Sequence, residues 1–132
     1  MDYIEWNDDV RVGVKIIDDQ HKSMVDSVNI LFNKMGDKKK QETRKIFSQM
    51  LDGIKIHFET EDKFMTESNY LDYISHKLEH ERLYNKLNEI NKNLLKGVSE
   101  LTLDDLKSIK KWFFNHLDFK DKKLGKFINS LN

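Results

Sequence analysis

The sequence predicts an all-α protein: an up-down antiparallel four-helix bundle with an extended N-terminal arm and a short helical C-terminal segment. Three observations carry this. Proline is absent and only five glycines occur, so the chain has few helix breakers. Four stretches repeat apolar residues at alternating spacings of three and four, the mark of one buried helical stripe. The connections between them are short, which favours antiparallel neighbours.

Residues 1–17 hold Trp6, Val10, Val12, Val14 and Ile16, and the alternation predicts an extended arm laid across the bundle. A first helix is expected over about 18–35, opened by Asp18, stopped at Gly36 and facing inward through His21, Met24, Val28, Leu31 and Met35. The run Lys38-Lys39-Lys40 reads as a solvated connection. A second helix, about 40–66, presents Ile46, Met50, Ile54, His57, Glu61 and Met65, then ends in Thr66-Glu67-Ser68-Asn69. A third, about 71–95, presents His76, His80, Leu83, Leu87, Ile90 and Leu94 and stops near Gly97. Thr102 with Asp105 three residues on resembles a capping box opening a fourth helix, about 103–118. Its inward face carries Leu106, Ile109, Phe113 and His116, with Asp121 just beyond. Leu124, Phe127, Ile128 and Leu131 would dock a short terminal segment. No repeat or composition shift divides the chain, so one domain spanning 1–132 is expected.

Composition narrows the function. Lys plus Arg equals Asp plus Glu at 23 each, leaving no net field to attract nucleic acid or anionic lipid. No apolar run approaches the ~20 residues that span a bilayer, and the N-terminus does not resemble a signal peptide. A cytoplasmic protein is the expectation. Absent cysteine removes disulfides, thiolate metal sites and iron–sulfur clusters together.

All five histidines and two carboxylates fall at helix positions due for core residues, and such groups are costly to bury unpaired. A common metal partner resolves the conflict. His57 and Glu61, like His76 and His80, are four apart and share a helix face. His116 and Asp121 are five apart, about 140° out of line on an ideal helix, so the helix must end or distort between them. Asp118, Lys120 and Gly125 make such a break plausible, and His21 supplies the last imidazole. Imidazole with carboxylate suits iron, copper or zinc, and two bridging carboxylates suit a pair of ions about 3.5–4 Å apart. Counting donors, three histidines on one ion, two on the other, two bridges and a bridging solvent oxygen leave one vacant position. A vacancy at a redox metal in an apolar pocket is what reversible binding of a small neutral gas needs.

Here the chain resembles the hemerythrin family, in length and arm most like a single-domain bacteriohemerythrin. The likeness rests on Trp6, Asp18-Asp19-Gln20-His21-Lys22, and His57-Phe58-Glu59-Thr60-Glu61 with Met65. It continues through His76-Lys77-Leu78-Glu79-His80 and Trp112-Phe113-Phe114-Asn115-His116 leading to Asp121-Lys122-Lys123. The resemblance implies a di-iron centre with a bridging oxo or hydroxo group. His76, His80 and His116 would hold one iron, His21 and His57 the other, with Glu61 and Asp121 bridging. Dioxygen would bind reversibly at the second iron as a hydroperoxide, for storage, delivery to an oxygenase or redox partner, or sensing. The chain would then be a carrier and not an enzyme. Met24, Phe58, Met65, Trp112 and Phe113 would keep the pocket dry, with Phe113 standing where the family often has leucine.

Competing readings are weaker. His76-Lys77-Leu78-Glu79-His80 fits a zinc-peptidase motif, H-x-x-E-H, but leaves the other five polar groups unexplained. Ferritin-like oxidases place glutamate three residues before histidine, and no histidine here has one. A phosphorylatable signalling histidine would have to be exposed. A di-iron oxidase or peroxidase, a nitric-oxide scavenger or an iron store is the alternative within the same chemistry.

Overall fold

A computed structural model describes residues 2–36 and 40–131. It holds α1 (Lys15–Asn33), α2 (Lys40–Glu67), α3 (Tyr73–Leu95), α4 (Leu103–His116) and α5 (Lys122–Ser130). Each of the first four packs on its neighbour in sequence, and α1 also packs on α4, closing a four-helix bundle. No helix among the described residues is long and apolar enough to cross a membrane. Of the expected basic connection, Lys38 and Lys39 lie outside the described residues.

The arm is less extended than its valines suggest. Asp8–Val10 forms a 3-10 turn, and α1 begins at Lys15, ahead of Asp18. Ile17 is therefore the core residue, while Ile16 is half exposed, so the alternation fails where the helix takes over. Asp18 does not open α1. From its first turn the carboxylate reaches back to the N–H groups of Val12 (2.7 Å) and Gly13 (3.1 Å), fastening arm to helix. Further out, the buried Asn29 amide exchanges two hydrogen bonds with the Ile4 backbone.

α1 ends at Asn33 and a turn carries the chain to Gly36. α3 ends as the sequence anticipates. Gly97 takes a positive φ of 70°, the Val98 N–H returns to Asn93 O and the Gly97 N–H to Leu94 O, a Schellman stop. At the start of α4 the Thr102 hydroxyl accepts from the Asp105 N–H at 3.1 Å, and the Asp105 carboxylate accepts from the Thr102 N–H at 3.0 Å. This is the predicted capping box.

The fourth helix neither ends nor breaks near residue 118. Leu117–Asp121 forms a π-helical turn, with the Lys122 N–H bonded to Leu117 O five residues back, and α5 continues from it. Widening one turn brings residues five apart onto the same face, which is what His116 and Asp121 require.

Two apolar clusters meet at the site. On α2, Ile54 and Phe58 belong to the main bundle core and Met65 to a second cluster with Val10, Val12, Ile17, Tyr70, Leu117 and Leu124. His57 and Glu61 fall between them in sequence. Likewise Ile109 lies in the main core and Leu117 and Leu124 in the second, with His116 and Asp121 interleaved. Ile46, Ile90, Met24, Met35 and Phe113 are only partly buried.

Candidate metal centre

Antiparallel packing gathers the early turns of α1 and α3 and the late turns of α2 and α4 at one end of the bundle. His21, His57, Glu61, His76, His80, His116 and Asp121 meet there, and none exceeds 6% exposure. All seven predicted site residues are thus brought together.

Their contacts form one knot. Asp121 Oδ1 lies 3.1 Å from His76 Nε2 and 3.0 Å from His116 Nε2, while Oδ2 lies 3.1 Å from His21 Nε2. Glu61 Oε1 lies 2.9 Å from His80 Nε2, 3.3 Å from His76 Nε2 and 3.6 Å from His57 Nε2. The seven resolve into two overlapping sets of ligand atoms, each mutually within 4.8 Å. One is Glu61, His76, His80, His116 and Asp121; the other is His21, His57, Glu61 and Asp121. Both carboxylates belong to both sets.

The electrostatics are those of buried donors crowded against one another. Burial, reinforced by the Asp121 charge, pushes the Glu61 carboxyl well above the usual range despite the His80 bond. Burial also acts to raise Asp121, but the His116 charge and the close approach of His116, His21 and His76 outweigh it and hold Asp121 well below its usual value. His57 is pushed well down by burial and by His21. Its Nε2 faces His21 Nε2 at 3.0 Å, two ring nitrogens sharing at most one proton. Glu61 Oε2 and His116 Nε2 are buried without a hydrogen-bond partner; His116 Nε2, though near Asp121, is out of line for one. Convergent lone pairs with too few protons fit metal ions. Nitrogen and oxygen donors without sulfur suit iron, zinc or copper.

A cavity of about 50 Å³ adjoins the cluster, roomy enough for a diatomic guest where one water needs roughly 10–15 Å³. It touches His21, His57, His116 and Asp121, but not Glu61, His76 or His80. Met24, Phe58, Trp112 and Phe113 line it as expected, and Phe113 stands edge-on to His21 with ring centres 5.5 Å apart. Met65 does not line it, being packed in the second cluster. Ile54, Leu83, Leu87 and Ile109 complete the wall. Periodicity marks these four as inward but cannot separate cavity wall from solid core.

Glu79 is held by Arg82, with one contact at 3.1 Å, and takes no part in the cluster. The carboxylate a peptidase would need is therefore turned away. Sequence reasoning gave no role to Gln20, Thr60 or Asp62, which stand behind two of the imidazoles. A side chain one residue before or after a ligand leaves the helix on another face, so ligand spacing gives no signal for it.

Comparison with known proteins agrees with this geometry. A family model described as the hemerythrin HHE cation binding domain matches residues 12–128. The bacteriohemerythrin of Methylococcus capsulatus is 29% identical over 118 residues, covering 89% of this chain and 90% of that protein. That of Clostridium acetobutylicum is 23% identical over 89% of this chain and 95% of its own. A wild-type hemerythrin crystal structure superposes with a TM-score of 0.89 at 28% identity, covering 94% of this chain and 96% of that one. A leucine-to-tyrosine variant of hemerythrin gives 0.91 at 28% identity, over 97% and 98%.

Proposed function

The chain belongs to the hemerythrin HHE cation-binding family, and from that premise we propose that it binds dioxygen reversibly at two non-haem irons. His76, His80 and His116 would hold one, His21 and His57 the other, and Glu61 and Asp121 both. The observation that carries this reading is the pair of overlapping ligand sets sharing both carboxylates, with the apolar cavity reaching the two-histidine set. The iron pair, when bound, would supply two electrons to dioxygen and take them back on release.

The remaining steps belong to the side chains. The cavity gives a small neutral guest a place beside His21 and His57, and its mostly apolar wall offers water few hydrogen-bond partners. Of the lining residues, His21, His57, His116 and Asp121 alone are titratable, and all four are ligands in this reading. Among the described residues no free acid lines the cavity to protonate the guest, and loss of reduced oxygen as peroxide needs protons. That supports a carrier over an enzyme. Glu61 and Asp121 tie the two positions together, so the loss of either should disturb both.

The test is a visible spectrum of the iron-loaded, reduced protein. It should be nearly colourless, gain an absorption band in air and lose it under inert gas. Irreversible consumption of oxygen with turnover would replace the carrier by a di-iron oxidase.

A further inference from the structure

His21, His76 and His116 leave their Nδ1 atoms without a hydrogen-bond partner. The other two imidazoles are backed, and differently. His57 Nδ1 lies 2.8 Å from Gln20 Oε1. The direction of that bond is fixed by what stands behind it. Thr60 gives its one hydroxyl proton to Ile56 O at 3.0 Å, so its oxygen accepts from the Gln20 amide nitrogen at 2.9 Å. The Gln20 oxygen is thereby turned toward His57 and can only accept. His57 therefore carries its proton on Nδ1 and directs a lone pair from Nε2 into the site.

His80 Nδ1 lies 3.3 Å from Asp62 Oδ1, and a carboxylate likewise accepts. The two backed rings fall in different ligand sets, His57 beside His21 and His80 beside His76 and His116. One is supported by a neutral amide and the other by an anion. Both supports orient their ring. The anion also draws on the Nδ1 proton, strengthening the opposite nitrogen as a donor and adding negative charge beside that position.

We propose that Gln20 and Asp62 are positioning residues that make the two metal positions electronically unequal. Asp62 favours the oxidised ion at the His76, His80 and His116 position, and Gln20 keeps the His21 and His57 position easier to reduce. This rests on the di-iron reading above. It gives the position beside the cavity to the more easily reduced ion.

The test is a redox titration of the iron-loaded protein with iron counted in each variant. Gln20→Glu and Asp62→Asn preserve shape and change charge by one unit in opposite directions. Asp62→Asn should favour the reduced form about tenfold, about 59 mV for a one-electron step, and Gln20→Glu the oxidised form by a similar factor, with two irons retained. Glu59→Gln makes the same charge change on an exposed side chain of the groove that Asp62 lines, and should shift the ratio less than about twofold. Shifts of the same sign, an Asp62→Asn effect no larger than that of Glu59→Gln, or loss of iron in both variants would overturn the inference. If one variant alone loses iron, the sign of the other decides. Wild-type protein lacking two irons would overturn the di-iron reading itself.

Discussion

Alanine at Gly125 and at Gly53 should move stability in opposite directions, although both glycines are helical. Helix propensity alone favours either change by about 0.8–1 kcal/mol. At Gly53 on α2 an added Cβ meets nothing within 4 Å, so that gain should appear in full. At Gly125 on α5 it would lie 2.2 Å from Val12 O and 3.0 Å from Val12 Cβ. Ordinary contact starts at 3.4 Å, so arm and helix must part by roughly 1 Å. The arm resists, because Asp18 holds the Val12 and Gly13 N–H groups and the Asn129 amide donates to Gly13 O. Overpacking of this kind costs about 1–3 kcal/mol, which against the propensity gain leaves a net loss of up to about 2 kcal/mol. Asp121 lies one turn before Gly125 in the same helical run. Metal sites tolerate about 0.2 Å in ligand position, so Gly125→Ala should also weaken iron retention about tenfold or more. Denaturant unfolding of the metal-free variants and iron analysis of the loaded ones provide the assay. A Gly125→Ala protein at least as stable as wild type and holding two irons would show that the Val12–Gly125 contact constrains neither the fold nor the centre.

Glu61→Ala or Asp121→Ala should cost both irons, whereas Glu59→Ala, at an exposed position of α2, should leave the iron count at wild type. Phe113→Leu should alter the rate of oxygen release or autoxidation, followed in the visible spectrum, with iron content unchanged; Phe113→Ala should speed autoxidation further by admitting water. In the metal-free protein Glu61 keeps a proton that the unfolded chain releases near 4.5, so its contribution is full below that pH and is lost as pH rises through the raised folded value. His57 works in reverse, costing stability as pH falls below 6.5. Glu61→Gln should therefore make the metal-free protein more stable than wild type at alkaline pH, by about 1–3 kcal/mol in denaturant titrations, while losing iron.

Much of this was legible in the residues themselves. Histidines at core positions on four separate helices exposed the centre, because a buried imidazole must be satisfied by something. The Thr102–Asp105 cap and the Gly97 stop were readable because each is local chemistry. The start of α1 was not: β-branched Val12, Val14 and Ile16 alternate as a strand would, and the burial of Ile17 that draws the helix forward is a tertiary effect. The five-residue gap from His116 to Asp121 announced a distortion without its form, since a terminated helix and a π turn satisfy it equally. The supports from Gln20, Thr60 and Asp62 depend on side chains crossing between helices, which spacing along one helix does not report.

Two irons that bind oxygen and give it back are proposed for this site. The most direct test is one sample of reduced, iron-loaded protein with iron counted, cycled between air and inert gas under a spectrometer. Such a centre should show about two irons per chain and a visible band that appears in air and disappears under inert gas over repeated cycles. One metal or none per chain, or a spectrum indifferent to oxygen, would contradict it.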